Sequence, residues 1–436
     1  MRYFLKILPP YLKKLSTGIV KTDTHACLQV YEPIMNKNKE VRKPRYDGRT
    51  KKRQWEERRS DKGEGLDPTL PKLQKVIDKI PASEKTLADK IKRRKYAILL
   101  GYLGTDYYGM QRNPHTKTIE EDLFKALLKA NFISQDCYNQ VQNMQFQRAA
   151  RTDKGVSAAR QVVSLKLGEN FDIGKVNVEL PETIRLFSHK RVTKGFNSKS
   201  QCDARTYIYL MPTIAFAKKD SETLQRNFRL DGETFKKIND LLRMYLGTKN
   251  YHNFTAKKKP QDPSSKRVIK SFECEAPFIK DDVEFCILKV CGQSFMMHQI
   301  RKMIGLIVSI VRGQTSENIV NLALSMEKVN IPRVPGLGLI LDQVHYNYYN
   351  SRYGSDGMHE KLTWEDAEPE VKEFKEKYIF PTIITTEIEH ESMVDWLTSK
   401  LRKHSFTETE EKDGNDSDED AEDDNDNEEK VQKNNV

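Results

Sequence analysis

Apolar residues make up only 37% of the 436-residue chain, and no stretch approaches the roughly eighteen consecutive apolar residues of a membrane-spanning helix. A membrane partner is therefore not expected. Cysteine is sparse and scattered: Cys27, Cys137, Cys202, Cys274, Cys286 and Cys291 form no Cys-x-x-Cys pair. That argues against a zinc ribbon and a disulfide framework, and suits a reducing compartment. The loop from Gly101 to Gly109 carries neither G-x-G-x-x-G nor G-x-x-x-x-G-K-[ST], so no phosphate-binding fingerprint is present. His252 and His298 have no second His or Cys at ligand spacing and read as structural residues. Metal, disulfide and nucleotide cofactor are all left without a sequence that calls for them.

What the chain does have is positive charge. The formal net charge is +11, although about fourteen acids stand against one lysine between Glu408 and Glu429, so the remainder carries about +24. A body this basic expects a polyanion, with nucleic acid the leading candidate. Met1 to Lys21 holds five basic residues and no acid, with Leu5, Ile7, Leu8, Leu12 and Leu15 as an apolar component interrupted by Pro9-Pro10. It reads either as a mitochondrial presequence or as a disordered leader. Lys51-Lys52-Arg53 and Arg58-Arg59 form a split basic cluster, either a nuclear import signal or a solvated linker. The expected organisation is a basic leader over 1–92, two halves of one folded domain over 93–195 and 196–350, a helical extension over 351–405, and a disordered acidic tail over 406–436.

Within the body, Tyr96 onward reads as a buried strand, and Thr118 caps a helix whose Ile119, Leu123, Leu127 and Leu128 share one face. Strands follow over 158–167 and 184–192. A second unit opens at Arg205 with the alternating Arg-Thr-Tyr-Ile-Tyr-Leu-Met. It continues through a helix over 231–246, strands over 267–275 and 283–290, apolar helices over 296–311 and 317–326, and a strand near 339–346. Strand, helix, strand, strand, helix, strand is the split βαβ order of ferredoxin-like folds. The predicted class is α+β: two ferredoxin-like halves joined into one extended mixed or antiparallel sheet, helices on one face, a cleft between the halves.

Three polar residues sit in otherwise structured surroundings. Asp153 lies in Ala150-Arg151-Thr152-Asp153-Lys154-Gly155, where an extended backbone puts Arg151 and Asp153 on one side and Gly155 permits a tight turn. By itself, R-x-D-x-G reads more readily as a solvated surface turn. Arg301 borders the apolar face of its helix and calls for a carboxylate partner, unless it snorkels to solvent. Tyr207 shares a strand face with Arg205 and Tyr209, a platform for an unstacked base or ordinary core packing.

These segments resemble the tRNA pseudouridine synthase A family. The resemblance rests on Ala150 to Ala158, on Arg205-Thr206-Tyr207-Ile208-Tyr209, and on Gly292 to Gly305 with its Met297-His298-Gln299-Ile300-Arg301-Lys302-Met303-Ile304-Gly305. Tyr102 to Arg112 and Gly247 to Thr255 add to it. The motifs run in family order over residues 94 to about 346. Ala150 and Ser157, where bacterial members carry glycine and histidine, and the wording Ser294-Phe295-Met296-Met297-His298-Gln299 place the resemblance with the eukaryotic branch of nucleus and mitochondrion. The resemblance implies a cofactor-free RNA uridine isomerase acting on the anticodon arm of tRNA, with small nuclear RNA and messenger RNA as secondary substrates. It implies Asp153 as nucleophile, Arg301 as its ion-pair partner, and Tyr207 stacking on the uracil and assisting proton removal at C5. Arg151 would take the space the base vacates, and Lys154, Arg205, Lys190, Arg191, Lys257, Lys258 and Lys259 would hold RNA. A monomer without an obligate protein partner is expected.

Overall fold

The computed structural model describes residues 92–407, apart from Pro114, residues 220–225 and Lys257. The expectations for the leader, the split basic cluster and the acidic tail lie outside the described residues, as does Lys257 as an RNA contact.

The centre is a ten-stranded sheet in the order β4-β1-β3-β10-β5-β9-β7-β6, with β2 paired to β3 and β8 to β9. In chain order the strands are β1 Arg93–Tyr102, β2 Gln147–Arg148, β3 Ser157–Gly168, β4 Ile184–Arg191, β5 Ala204–Pro212, β6 Gly247–Asn250, β7 Lys266–Cys274, β8 Phe278–Lys280, β9 Val283–Gly292 and β10 Leu339–His345. All neighbours are antiparallel except β10 and β3, which run parallel and pair Ile340 with Ser157 and Leu341 with Ala158. That short parallel contact joins the strands of the first half to those of the second, because β10 also pairs with β5. The mixed, mostly antiparallel sheet expected from the sequence is present.

The helices are α1 Ile119–Lys129, α2 Gln135–Asn139, α3 Ile173–Glu179, α4 Gly232–Arg243, α5 Gln299–Val311, α6 Ile319–Leu324, α7 Asn347–Tyr353, α8 Glu368–Phe374, α9 Phe380–His390 and α10 Ser392–Asp395. Local chemistry sets their starts. Thr118 Oγ1 accepts the amide of Glu121 at 3.4 Å, and Asp231 Oδ1 accepts that of Thr234 at 2.8 Å, each satisfying a donor that a first turn leaves open. The apolar helix α5 begins at Gln299, three residues later than its periodicity suggests, because His298 stands in the left-handed region at φ +62° and breaks the turn.

Helices cover both faces of the sheet, where the sequence predicted one. Tyr207, Val290 and Phe272 are register partners across β5, β9 and β7 and so share a face. Phe272 meets Tyr245, whose hydroxyl donates to Met303 O of α5 at 3.1 Å. Arg160 and Asp342 instead turn toward the C-terminal segment, where Arg160 Nη2 reaches Glu368 Oε2 of α8 at 2.7 Å and Lys375 Nζ reaches Asp342 Oδ1 at 3.0 Å. Double coverage accounts for β1, where every residue from Tyr96 to Tyr102 is buried, as in strands covered front and back.

Candidate active site

Four chain segments meet where β3, β10 and β5 adjoin. The first is the run leading into β3. Its near end is held by Arg148, which forks onto Glu120 of α1, with Nη2 at 3.0 Å from Oε2. Glu120 is almost wholly buried, and burial pushes its carboxyl up while Arg148 pulls it down. Next, Gln161 brackets Ala150, accepting its amide at 3.2 Å and donating to its carbonyl at 2.7 Å. The fully buried Tyr102 then shares a hydroxyl hydrogen bond of 2.8 Å with Thr152. Asp153, the next residue, is half-buried and follows a segment held by side-chain bonds at Arg148 and Thr152 and by backbone bonds at Ala150.

The second segment is the loop after β1. Met110 N donates to Thr152 O and Gly155 N donates to Tyr107 O, both at 3.1 Å, so this loop lies flat against the Asp153 turn on either side. Gly109 makes that possible: its φ is +88°, and a Cβ there would stand 2.7 Å from Thr152 O. Any side chain would push the two loops apart.

Strand β5 is the third. Tyr207 pairs with Leu341 of β10, which in turn pairs with Ala158 of β3, so Tyr207 sits in the same row as a residue five positions beyond Asp153. Burial pushes the Tyr207 phenol up to about 12; Arg205 opposes the shift and the charge of Asp153 adds to it. Phe295 packs edge-on against the Tyr207 ring at 5.3 Å.

The fourth is the turn into α5. Arg301 lies in its first turn, half-buried, and its Nε donates to Val334 O at 2.8 Å. Gly336 faces the guanidinium, since a Cβ there would lie 3.6 Å from Cζ. Close approach at Gly305, where a Cβ would be 2.1 Å from Pro332 O, keeps the 332–338 segment against the helix. Burial pushes the Tyr209 phenol up and the Arg301 guanidinium pulls the other way. Asp153 and Arg301 thus act on two tyrosines two residues apart on one face of β5.

The remaining sequence candidates separate. Arg151 is exposed and its Nη1 donates to Gln111 Oε1 at 3.3 Å. Lys154 is half-buried, with its ammonium over the Tyr108 ring. Arg191, Lys258 and Lys259 are exposed, and Lys258 pairs with Asp262 at 2.9 Å. Two candidates are committed elsewhere. Lys190 is buried, with its ammonium 3.1 Å from Asp366, 3.2 Å from Lys361 O and over the Trp364 ring, so it docks the C-terminal segment instead of reaching phosphate. Arg205 spends its guanidinium on backbone carbonyls: Nη2 to Ala149 O at 2.7 Å and Nη1 to Gln293 O at 3.0 Å. It clasps the Asp153 segment to the turn before α5.

His252 is buried and its Nε2 lies 3.2 Å from Glu327 O. Arg333 Nη1 lies 2.8 Å from His298 Nε2, and burial together with Arg333, Arg301 and Lys302 pushes that imidazole down to about 4, so it is neutral at pH 7. Sequence reasoning passed over Gln161 and Tyr102. The one legible signal was Gln161 itself, an amide in an apolar strand run that calls for buried partners.

Chemically, the arrangement offers a half-buried carboxylate in a held turn, a buried and protonated phenol whose titration that carboxylate raises, and a guanidinium that lowers the titration of Tyr209 two residues along the same strand. The tRNA pseudouridine synthase family matches residues 241–347, a span that holds Arg301 but neither Asp153 nor Tyr207. A Mus musculus protein called pseudouridylate synthase 1 homolog is 50% identical over 324 residues, covering 73% of this chain and 76% of its own length. The Homo sapiens protein of the same name is 51% identical over 316 residues, covering 72% and 74%. The tRNA pseudouridine synthase 1 of Yarrowia lipolytica is 34% identical over 391 residues, covering 69% and 73%.

Proposed function

Since this chain belongs to the tRNA pseudouridine synthase family and is an isomerase of RNA uridines, we propose that it acts on uridines of the tRNA anticodon stem, with Asp153 as the nucleophile. The observation that carries this reading is how the Asp153 turn is held: the loop after β1 bonds to it on both sides, Arg205 of β5 clasps its approach to the turn before α5, and the half-buried Asp153 raises the Tyr207 phenol.

In the reaction the N1–C1′ bond breaks, the uracil turns, C5 bonds to C1′, and the C5 proton is lost as N1 gains one. Nothing is oxidised or hydrolysed. The uridine must first leave its stack, at a cost of a few kcal/mol, which a ring such as Tyr207 offsets by stacking on the base. Asp153 either attacks C1′ or takes the C2′ proton, and both routes need it ionised. Arg301 serves as its counter-charge. The support is that Asp153 raises the Tyr207 phenol while Arg301 lowers that of Tyr209, two residues further along β5. A phenol at about 12 is protonated at neutral pH, so Tyr207 enters as a ring and an O–H donor, and takes the C5 proton only after giving up its own. Arg151 and Lys154 flank the carboxylate in sequence and hold phosphate or fill the space the base leaves.

Each half reads as a ferredoxin-like unit. The strand orders β4-β1-β3-β2 and β10-β5-β9-β7 support this, since both place the first and third strands centrally. Small nuclear and messenger RNA uridines in stem-like contexts are secondary substrates. Nuclear and mitochondrial pools are proposed from the basic residues of the leader, and a fusion of residues 1–30 that stays cytosolic would count against the second.

Purified Asp153→Ala should bind tRNA nearly normally and release no tritium from C5-labelled uridine. Retained turnover removes the mechanism. Mapping pseudouridines in tRNA from cells lacking the protein separates stem uridines from loop uridines, the nearest alternative substrate.

A further inference from the structure

Tyr107 and Tyr108 are neighbours in the loop after β1 and face opposite ways. Tyr107 is 3% exposed and its hydroxyl donates to Asp122 Oδ2 at 2.8 Å. Tyr108 is 58% exposed. A lone apolar side chain in water is ordinary, but this one has a specific setting. The backbone on both sides of it is bonded to the residues flanking Asp153, through Tyr107 O to Gly155 N and Met110 N to Thr152 O. Lys154, the residue after Asp153, holds its ammonium 4.7 Å from the centroid of the Tyr108 ring. A flat ring, braced by a cation and left in water, thus stands at the rim of the proposed catalytic carboxylate.

We propose that Tyr108, with Lys154 behind it, is a shelf on which a nucleobase next to the target uridine stacks. When the uridine leaves its stack, its neighbours each lose a partner on one face, and an aromatic surface at the rim restores one of those contacts. The ammonium occupies one side of the ring, which leaves the other side and the edge for the base. It also lies where the phosphate of the stacked nucleotide can meet a positive charge. Stacking on a ring is tolerant of base identity, so the shelf accepts any of the four bases and contributes affinity and register instead of sequence choice.

This inference rests on Asp153 marking the catalytic centre, and the test keeps the two apart. In full-length Asp153→Ala protein, binding of an unmodified tRNA anticodon stem-loop is measured by filter retention across salt concentrations. Replacing Tyr108 by Ala should weaken binding about tenfold, the usual scale for one base–aromatic stack. Phe and Trp at this position should restore it, and Leu should not. Lys154→Met should reduce the slope of log affinity against log salt by about one. Because the Tyr108 side chain faces water, thermal unfolding of the Tyr108 variants should match the parent, which separates a binding loss from a folding defect. Equal binding by Tyr108→Ala, or full restoration by Leu, overturns the shelf while leaving the role of Asp153 intact. Turnover by Asp153→Ala alone would overturn the catalytic reading and, with it, the premise of the shelf.

Discussion

Nη2 of Arg205 lies 2.7 Å from the carbonyl oxygen of Ala149, four residues before Asp153. The same guanidinium reaches Gln293 O at 3.0 Å through Nη1, so one side chain spans the segment carrying the carboxylate and the turn that launches α5. A planar guanidinium presents donors at fixed, widely separated points of a fork, which the compact ammonium of lysine does not reproduce at this position. Arg205→Lys should therefore lower stability by about 1–2 kcal/mol, the scale of one lost charged hydrogen bond. It should lower the single-turnover rate more than tRNA affinity. If Arg205 instead held RNA phosphate, the loss would appear in KM and in its salt dependence. Single-turnover tritium release at two salt concentrations decides between them.

Arg160 joins the sheet to the C-terminal segment. It is 8% exposed and meets both Glu368 oxygens, at 2.5 and 2.7 Å, as well as Asp342 Oδ1 at 3.2 Å. Arg160→Met should cost about 3 kcal/mol, because it strips a buried carboxylate of one of its two cations. Glu368→Ala should cost about 1 kcal/mol or less, since that side chain is mostly in water and Asp342 keeps both partners. Urea unfolding of the two variants measures the ranking; a reversed order would mean that the buried half of this network does not carry the docking.

Glu387 makes stability depend on pH. Burial pushes its carboxyl from 4.5 to about 7; Glu391 adds to the rise, while the amide of Met393 and Ser392 oppose it. A raised folded-state value means that the native protein binds the proton more tightly than the unfolded chain does. Stability therefore falls as pH rises from about 4.5 to about 7, by on the order of 3 kcal/mol, and levels off above. Glu387→Gln keeps an oxygen for the Met393 amide, which now donates to Oε1 at 2.7 Å, and removes the titration. Its melting temperature should hardly change between pH 5 and pH 7.5 on this account, while that of the parent falls. Parallel curves for the two proteins would refute the assignment.

Much of the framework was legible in one dimension because it is written in local patterns. The cap at Thr118, the alternation from Arg205 to Met211 and the apolar stripe of α5 each follow from how backbone geometry repeats. What those patterns omit are partners distant in sequence. The extension over 351–405 was read as helical, but α9 was not marked out within it, because its apolar residues Ile383 and Ile384 are set among polar ones and their burial depends on the chain returning to the sheet. Lys190 and Arg205 both looked like phosphate ligands, since a basic residue in a strand carries no mark of whether a carboxylate or a carbonyl waits for it. His298 looked helical, and only its left-handed backbone moved the start of α5.

Residue type and spacing alone determined that the chain forms strands and helices in a repeated order, that it is strongly basic, and that Asp153 lies in a constrained, glycine-punctuated turn. Tertiary structure decided which of its cations remain facing solvent and which are consumed in holding the protein together. The reason is that a cationic side chain is satisfied by whatever acceptor comes within a few ångströms of it, and for Arg205 those acceptors are 56 and 88 residues away along the chain.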